Sequence, residues 1–268
     1  MQNVIGIIFV AIGIIVVIWI FFFRNTGEEH KPPKKTTVKP PDFTTKLKEI
    51  LGPDVEDEHI KLVWDTFLEH PEDPDYYVLI VGRLMSMKKY EKARKYLLEA
   101  IPNIEPDAEI YETLGDICLK LGKLDEAVDA YDNAIKIDPE HTKAMVNLAT
   151  VYISKEEYDT AKEILLNVLK ENYDDKRARF FYGQALYENG EYEEAFCELN
   201  KVYKSDQRIP QIYFFIGMVL MKLGEETPGR KMLKKYLQLQ PEGAYSIEAQ
   251  RVLAKPEIQK EDLNETEE

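Results

Sequence analysis

Cysteine, histidine and tryptophan are scarce in this 268-residue chain, at two, four and two residues. The two cysteines, Cys118 and Cys197, supply neither a disulfide framework nor a paired metal site, and such low usage suits a reducing compartment. The four histidines, His30, His59, His70 and His141, stand at no ligand spacing. No His-Glu-x-x-His, phosphate-loop or nucleophile-elbow pattern occurs. The carboxylate pairs Glu156-Glu157 and Glu193-Glu194 fall in predicted turns and helix starts, where solvent and the helix dipole account for them. The expectation is a binding protein, not an enzyme, with no cofactor and no metal. Positive charge is also short, with 35 Lys and Arg against 49 Asp and Glu and a net charge of −14. An acidic body lacks the basic face that nucleic-acid backbone requires, so no nucleic-acid partner is expected.

Charge of either sign is missing between Val4 and Phe23. Twenty apolar residues at about 1.5 Å rise reach about 30 Å, the thickness of a bilayer's hydrocarbon core. A cleaved signal peptide needs a basic start and a small-residue cleavage site; here Met1 to Asn3 carry no cation and the run ends Ile20-Phe21-Phe22-Phe23. Residues 1–23 therefore read as a retained transmembrane anchor, giving a single-pass inner- or plasma-membrane protein. Arg24, Lys31, Lys34, Lys35 and Lys39 follow the run, which predicts the N-terminus outside and the body in the cytoplasm. Residues 24–42, with two proline pairs, read as a stiff extended linker. Residues 255–268 read as an acidic disordered tail, in which Asn264-Glu265-Thr266 fits a glycosylation sequon relevant only to an exported body.

Between these ends the sequence repeats. Cuts every 34 residues from Pro74 give blocks 74–107, 108–141, 142–175, 176–209 and 210–243 without a gap. The eighth position holds Val81, Gly115, Ala149, Gly183 and Gly217; the twentieth holds Ala93, Ala127, Ala161, Ala195 and Gly229. The twenty-fourth holds Leu97, Tyr131, Leu165, Leu199 and Leu233. Helical spacing puts positions 4, 7, 8 and 11 on one face of a first helix and positions 20, 24 and 27 on one face of a second. Small residues at 8 and 20 let two antiparallel helices approach to about 8–10 Å while large neighbours fill the seam. Gly122, Gly190 and Gly224 mark the turn between helices, and Thr227-Pro228 reads as an N-cap followed by a first-turn proline. Such an array needs covered ends. Residues 43–73, with Ile60, Val63, Trp64, Phe67 and Leu68 on one side, read as N-terminal capping helices or a degenerate half-repeat; residues 244–254 read as the closing helix.

Tyr111-x-x-Leu114-Gly115-x-x-Cys118, then Ala127-x-x-x-Tyr131, then Pro139, resembles the tetratricopeptide repeat signature over about 170 residues. It departs from the pattern in lacking the fourth-position tryptophan, in Val81, and in the missing final prolines of blocks three and four. The resemblance implies an all-α, right-handed solenoid of five helix-turn-helix units. Its concave wall is formed by the first helices, with Val78, Gly82, Met85, Glu109, Glu112 and Asp116 in the early blocks. It further implies a partner-binding groove of Lys143, Asn147, Arg177, Phe180, Gln184, Tyr187, Phe214, Met218 and Met221. There Phe180 and Phe214 suit an apolar anchor, and Asn147 and Arg177 suit a peptide backbone or carboxylate. The family's carboxylate clamp for chaperone tails is absent, because Glu112, Asp116 and Phe181 stand where its polar and basic residues belong.

The expected activity is that of a membrane-anchored scaffold or adaptor that takes a protein or peptide ligand and recruits it to a membrane complex. Self-association by stacking of arrays is compatible with the pattern. The alternatives are an exported envelope or pilus assembly factor, and an assembly or proteolysis adaptor similar to the bacterial lipopolysaccharide assembly protein B family. That family adds Cys-x-x-Cys pairs, which this chain lacks.

Overall fold

Residues 42–255 are described by the computed structural model; Val4–Phe23, the proline-rich linker up to residue 41 and the acidic segment after Lys255 lie outside the described residues. The described residues form thirteen α-helices and no strand. None of these helices is long and apolar enough to cross a membrane. Two helices open the array, α1 (Asp42–Leu51) and α2 (Glu58–Phe67), joined by a 3-10 turn at Gly52–Glu56. Five helix pairs follow: α3 (Pro74–Ser86) with α4 (Tyr90–Ala100), α5 (Ala108–Lys120) with α6 (Leu124–Ile137), and α7 (Thr142–Ser154) with α8 (Tyr158–Glu171). The last two are α9 (Lys176–Glu188) with α10 (Tyr192–Ser205) and α11 (Pro210–Lys222) with α12 (Glu226–Leu239), before a closing helix α13 (Ser246–Ala254).

The first helix of most pairs is started by its own sequence. Asp73, Asp107 and Asp175 accept the backbone N–H of Asp75, Ile110 and Ala178 at 3.1, 2.9 and 2.8 Å. Each bond satisfies one orphan donor of a helix start and contributes about 1 kcal/mol. In α11 Pro210 takes the first turn instead, where no N–H is needed.

Within every pair the turn is the same. Residues Lys88, Gly122, Glu156, Gly190 and Gly224, all at block position 15, have positive φ of 59°, 71°, 63°, 85° and 79°. The residue after each donates its N–H back to a carbonyl five residues earlier, as Lys123 does to Cys118 and Glu157 to Tyr152, both at 2.9 Å. That bond around a left-handed residue is the Schellman closure. Three blocks meet its steric demand with glycine, and two force Lys88 and Glu156 into it.

Thr227 does not cap α12. The helix begins at Glu226, with Glu225 as the capping position, so Pro228 sits in its third position. A proline is accommodated there because the first four N–H groups of a helix have no internal partner.

The seam between paired helices is closed by the small columns. A Cβ on Gly229 would meet the Gly217 carbonyl oxygen at 2.9 Å, so the backbones of α11 and α12 are in near contact. The first helices of successive pairs pack on one another, while the second helices make no comparable approach to their counterparts. The spacing is therefore tighter on the side of α3, α5, α7, α9 and α11. These helices form the inner wall of residues 42–255.

The ends are covered differently. Helix α1 packs on α4 and α2 on α3, instead of pairing closely with each other, so this is a cap and not a further repeat. Ile60, Trp64 and Phe67 are buried, whereas Leu68, expected on the same side, lies past the helix end and is exposed. Asp57 accepts from the N–H groups of His59 and Ile60 and also from Nε and Nη2 of Arg83, at 2.9 and 2.8 Å. At the other end Tyr245 stacks flat on Phe214 with centroids 4.5 Å apart, and its N–H donates to the Tyr236 hydroxyl at 3.0 Å.

Candidate functional site

The inner wall carries one continuous polar chain through repeats two, three and four. It begins at Glu112 and Asp116, one turn apart on α5. Glu112 is 2% exposed, and its carboxylate takes Lys143 Nζ at 2.8 Å and His141 Nε2 at 3.2 Å. The Asn147 amide donates to Asp116 at 2.8 Å and more weakly to Glu112 at 3.5 Å. The Tyr131 hydroxyl, reaching across from α6, donates to Asp116 at 2.6 Å. On its other side Asn147 offers its carbonyl oxygen to the Arg177 guanidinium. Three consecutive first helices, α5, α7 and α9, are thus tied through one asparagine that is 4% exposed.

Electrostatics explains the order of the chain. Burial holds the Asp116 carboxyl above the usual carboxylate range; the Tyr131 hydrogen bond opposes this, and the neighbouring Glu112 charge adds to it. Burial likewise raises the Tyr131 phenol, which stays protonated as a donor. Two acids this close in a sparsely hydrated site need cations nearby. Lys143 pairs with Glu112 directly and Arg177 stands near Asp116 on the far side of Asn147, both from exposed positions. Each is bound at one end to the interior and open to solvent at the other. Arg177 also lies 5.8 Å over the Phe181 ring.

The nine residues expected to line the groove separate into three groups. Lys143 and Arg177 are exposed on the wall, and Asn147 is the buried link between them. Gln184 and Tyr187 are half-buried; Gln184 lies near Tyr245, and the Tyr187 ring packs 5.9 Å from Phe215. The apolar residues are not open to a ligand. Phe180 is 8% exposed, edge-on to Phe181 and Phe215 at 5.3 and 5.6 Å. Phe214 is 2% exposed beneath Tyr245, and Met218 is buried. Half-buried Met221 points to the seam, its sulfur 2.9 Å from where a Cβ on Gly229 would lie. The apolar anchor expected at Phe180 and Phe214 is therefore filled by the protein's own rings.

The sequence reading missed two members of the site. His141 stands at no ligand spacing in the sequence, yet it reaches Glu112 from the far end of the same repeat. Tyr245 looked like part of a generic closing helix and instead occupies the aromatic end of the wall. Among the described residues no group of three or more His, Cys, Asp or Glu side chains is placed to hold a metal ion.

Paired antiparallel helices stacked in a fixed period, with first helices inside, define an α-solenoid of helix-hairpin repeats. Comparison with known proteins assigns the class more closely. Residues 98–211 match the profile described as the TPR domain of cytochrome c-type biogenesis protein H, and residues 210–242 match the tetratricopeptide repeat itself. Residues 98–242 therefore carry tetratricopeptide repeats. The chain is 25% identical over 170 residues to the TPR repeat-containing protein YpiA of Bacillus subtilis, covering 62% of this chain and 40% of that protein. It is 26% identical over 155 residues to the BBSome complex member BBS4 of Bos taurus, covering 58% and 30%. The chain thus spans well under half the length of these curated relatives. Among solved structures, the Thermus thermophilus TPR protein TTC0263 superposes with a TM-score of 0.58 at 15% identity, covering 68% of this chain and all of that one. YrrB, described as a TPR protein with an unusual peptide-binding site, gives 0.53 at 22% identity over 70% and 97%. At these identities the likeness is one of fold.

Proposed function

We propose that the inner wall of repeats two to four binds an extended segment of a partner protein, with Lys143 and Arg177 donating to its backbone carbonyls or carboxylates. The observation that carries this reading is that both cations are held from inside by Glu112 and Asn147 while their faces remain open to solvent. A preorganised donor loses less side-chain entropy on binding than a free one. The array in this reading binds a partner and turns over no substrate. The test is a photoreactive residue at exposed Glu109 on α5, with a control at exposed Glu163 on α8. A partner adduct should form at 109 alone and should vanish with Lys143→Glu plus Arg177→Glu while helix content is unchanged. Equal adducts at 163, or adducts that survive the double variant, would remove the inner wall from the function.

The uncharged run Val4–Phe23 supports a second element, a membrane tether that presents the array on the cytoplasmic side. The full chain should stay with membranes through alkaline carbonate extraction, and a chain lacking residues 1–23 should not. The match of residues 98–211 to a domain from cytochrome c-type biogenesis proteins favours, as a second reading, a partner that is itself being assembled into a membrane complex.

A further inference from the structure

The second helices offer a comparison built into the repeat. Block positions 22, 25 and 26 fall on the face of a second helix turned away from the seam of positions 20, 24 and 27. In the fifth block they hold Lys231, Lys234 and Lys235. No other block has more than one cation at the three positions, and the second has Asp129, Asp132 and Asn133 there. The same scaffold is thus used five times, and once its outer face is wholly basic, in a chain whose net charge is −14.

These lysines line a groove of about 760 Å³ between α10 and α12. Among the described residues no carboxylate lines it, and none of the three exposed lysines makes an ion pair. Neighbouring acids are already held, Glu226 by Arg230 at 3.3 Å and Asp206 by Arg208 at 2.9 Å. Like charges one helical turn apart repel, so Lys231 and Lys235 favour an anion between them. The floor is fixed in advance. Tyr203 meets Tyr213 edge-on at 5.6 Å, and the Tyr213 hydroxyl donates to the Gln207 carbonyl at 3.1 Å.

The dimensions and the neutral groups suit a peptide. Thr227 to Gln238 present about 18 Å of helix to the groove, the length of five or six extended residues. Side chains on one side of an extended segment repeat about every 7 Å, close to the separation of residues one helical turn apart. Gln207 and Gln238 lie in the same lining, and an amide offers a peptide backbone both a donor and an acceptor. A layer of lipid headgroups needs neither amide and is flat on the scale of this recess.

We propose that the groove between α10 and α12 docks an acidic segment of a partner protein, its carboxylates on Lys231, Lys234 and Lys235 and its backbone along the two glutamines. This is a second contact surface, on the opposite face of the array from Lys143 and Arg177.

The test uses the full-length protein in phosphatidylcholine discs and a fluorescein-labelled peptide in which Glu alternates with Ser and Phe. The peptide should slow acetylation of Lys231, Lys234 and Lys235 at least threefold and leave the exposed control lysines Lys95 and Lys136 unchanged. Protection should vanish in 1 M NaCl, where the screening length is about 3 Å, and with a peptide carrying Gln for Glu. By fluorescence anisotropy, Lys231→Glu plus Lys235→Glu should weaken binding at least tenfold with helix content unchanged, and Lys231→Gln plus Lys235→Gln at least threefold. Equal protection at the control lysines, none at the groove, or binding that survives both pairs of substitutions would overturn the proposal. So would protection without peptide: if phosphatidylserine produced it, the occupant would be a lipid surface, and if higher protein concentration did, a second copy. Lys143→Glu plus Arg177→Glu should leave the protection of the groove lysines intact, so the inner-wall reading stands or falls separately.

Discussion

Tyr131 lies so close over Gly115 that a Cβ on the glycine would come within 2.5 Å of the tyrosine ring. The same ring is fully buried, and its hydroxyl ends on Asp116, so it cannot swing aside without breaking the polar chain of the inner wall. Packing and site are joined at one contact.

Gly115→Ala should therefore destabilise the array by about 1–3 kcal/mol, the range for overpacking a filled core. Gly82, also inside a first helix, has open space where a Cβ would go. Gly82→Ala should raise stability by about 0.5–1 kcal/mol through helix propensity alone. Thermal unfolding of both variants, followed by circular dichroism, gives opposite shifts in Tm if the seam has been described correctly.

Lys88 and Glu156 occupy the left-handed turn position that Gly122, Gly190 and Gly224 fill elsewhere. The left-handed conformation costs a residue with a Cβ about 1–2 kcal/mol, partly offset by the backbone entropy glycine loses on folding. Lys88→Gly and Glu156→Gly should each stabilise by about 0.5–1 kcal/mol. Gly190→Ala should destabilise by a similar amount, and urea midpoints at unchanged m-value would read all three.

The cap should respond to acid. The Arg83 hydrogen bonds lower the Asp57 carboxyl to about 2 despite its burial, with the Ile60 and His59 N–H groups helping. A carboxyl lowered on folding stabilises the protein above its unfolded value and loses that contribution as pH falls through the folded one. The loss should run from about pH 4 down to about pH 2 and amount to about 1–2 kcal/mol after solvent screening. Arg83→Ala should flatten the slope of unfolding free energy against pH in that window; an unchanged slope would show the pair contributes nothing.

One thiol per chain should react under native conditions. Burial pushes the Cys118 thiol up to about 11, and it is 1% exposed, whereas Cys197 is exposed. Iodoacetamide at pH 8 should label Cys197 alone, with Cys118 labelled only after denaturation. Native labelling of both would mean that the seam between α5 and α6 opens readily.

The repeat could be read from the amino acids because its determinants are local and recur. Gly115, Ala127 and Tyr131 announce a close helix pair through size and spacing alone, and Gly122 announces the turn through its φ. Those features need only the neighbouring 34-residue frame, so the all-α solenoid was legible before any coordinates. Lys143, Asn147 and Arg177 were named only through the resemblance to the tetratricopeptide family, which implies that such positions of a first helix line the inner wall. The frame did not tell whether a wall residue is open. Phe214 sits at a wall position, yet it is covered by Tyr245, a residue 31 positions later on a segment with no repeat to locate it. Asn147 looks like a ligand contact and is buried because Arg177 and Asp116 close over it from adjacent repeats. Sequence by itself determined which helices pair and which faces meet, since side-chain size and backbone φ act within one hairpin. Tertiary structure alone decided which polar groups reach one another and which aromatic rings stay exposed, since burial depends on whatever distant segment arrives to cover them.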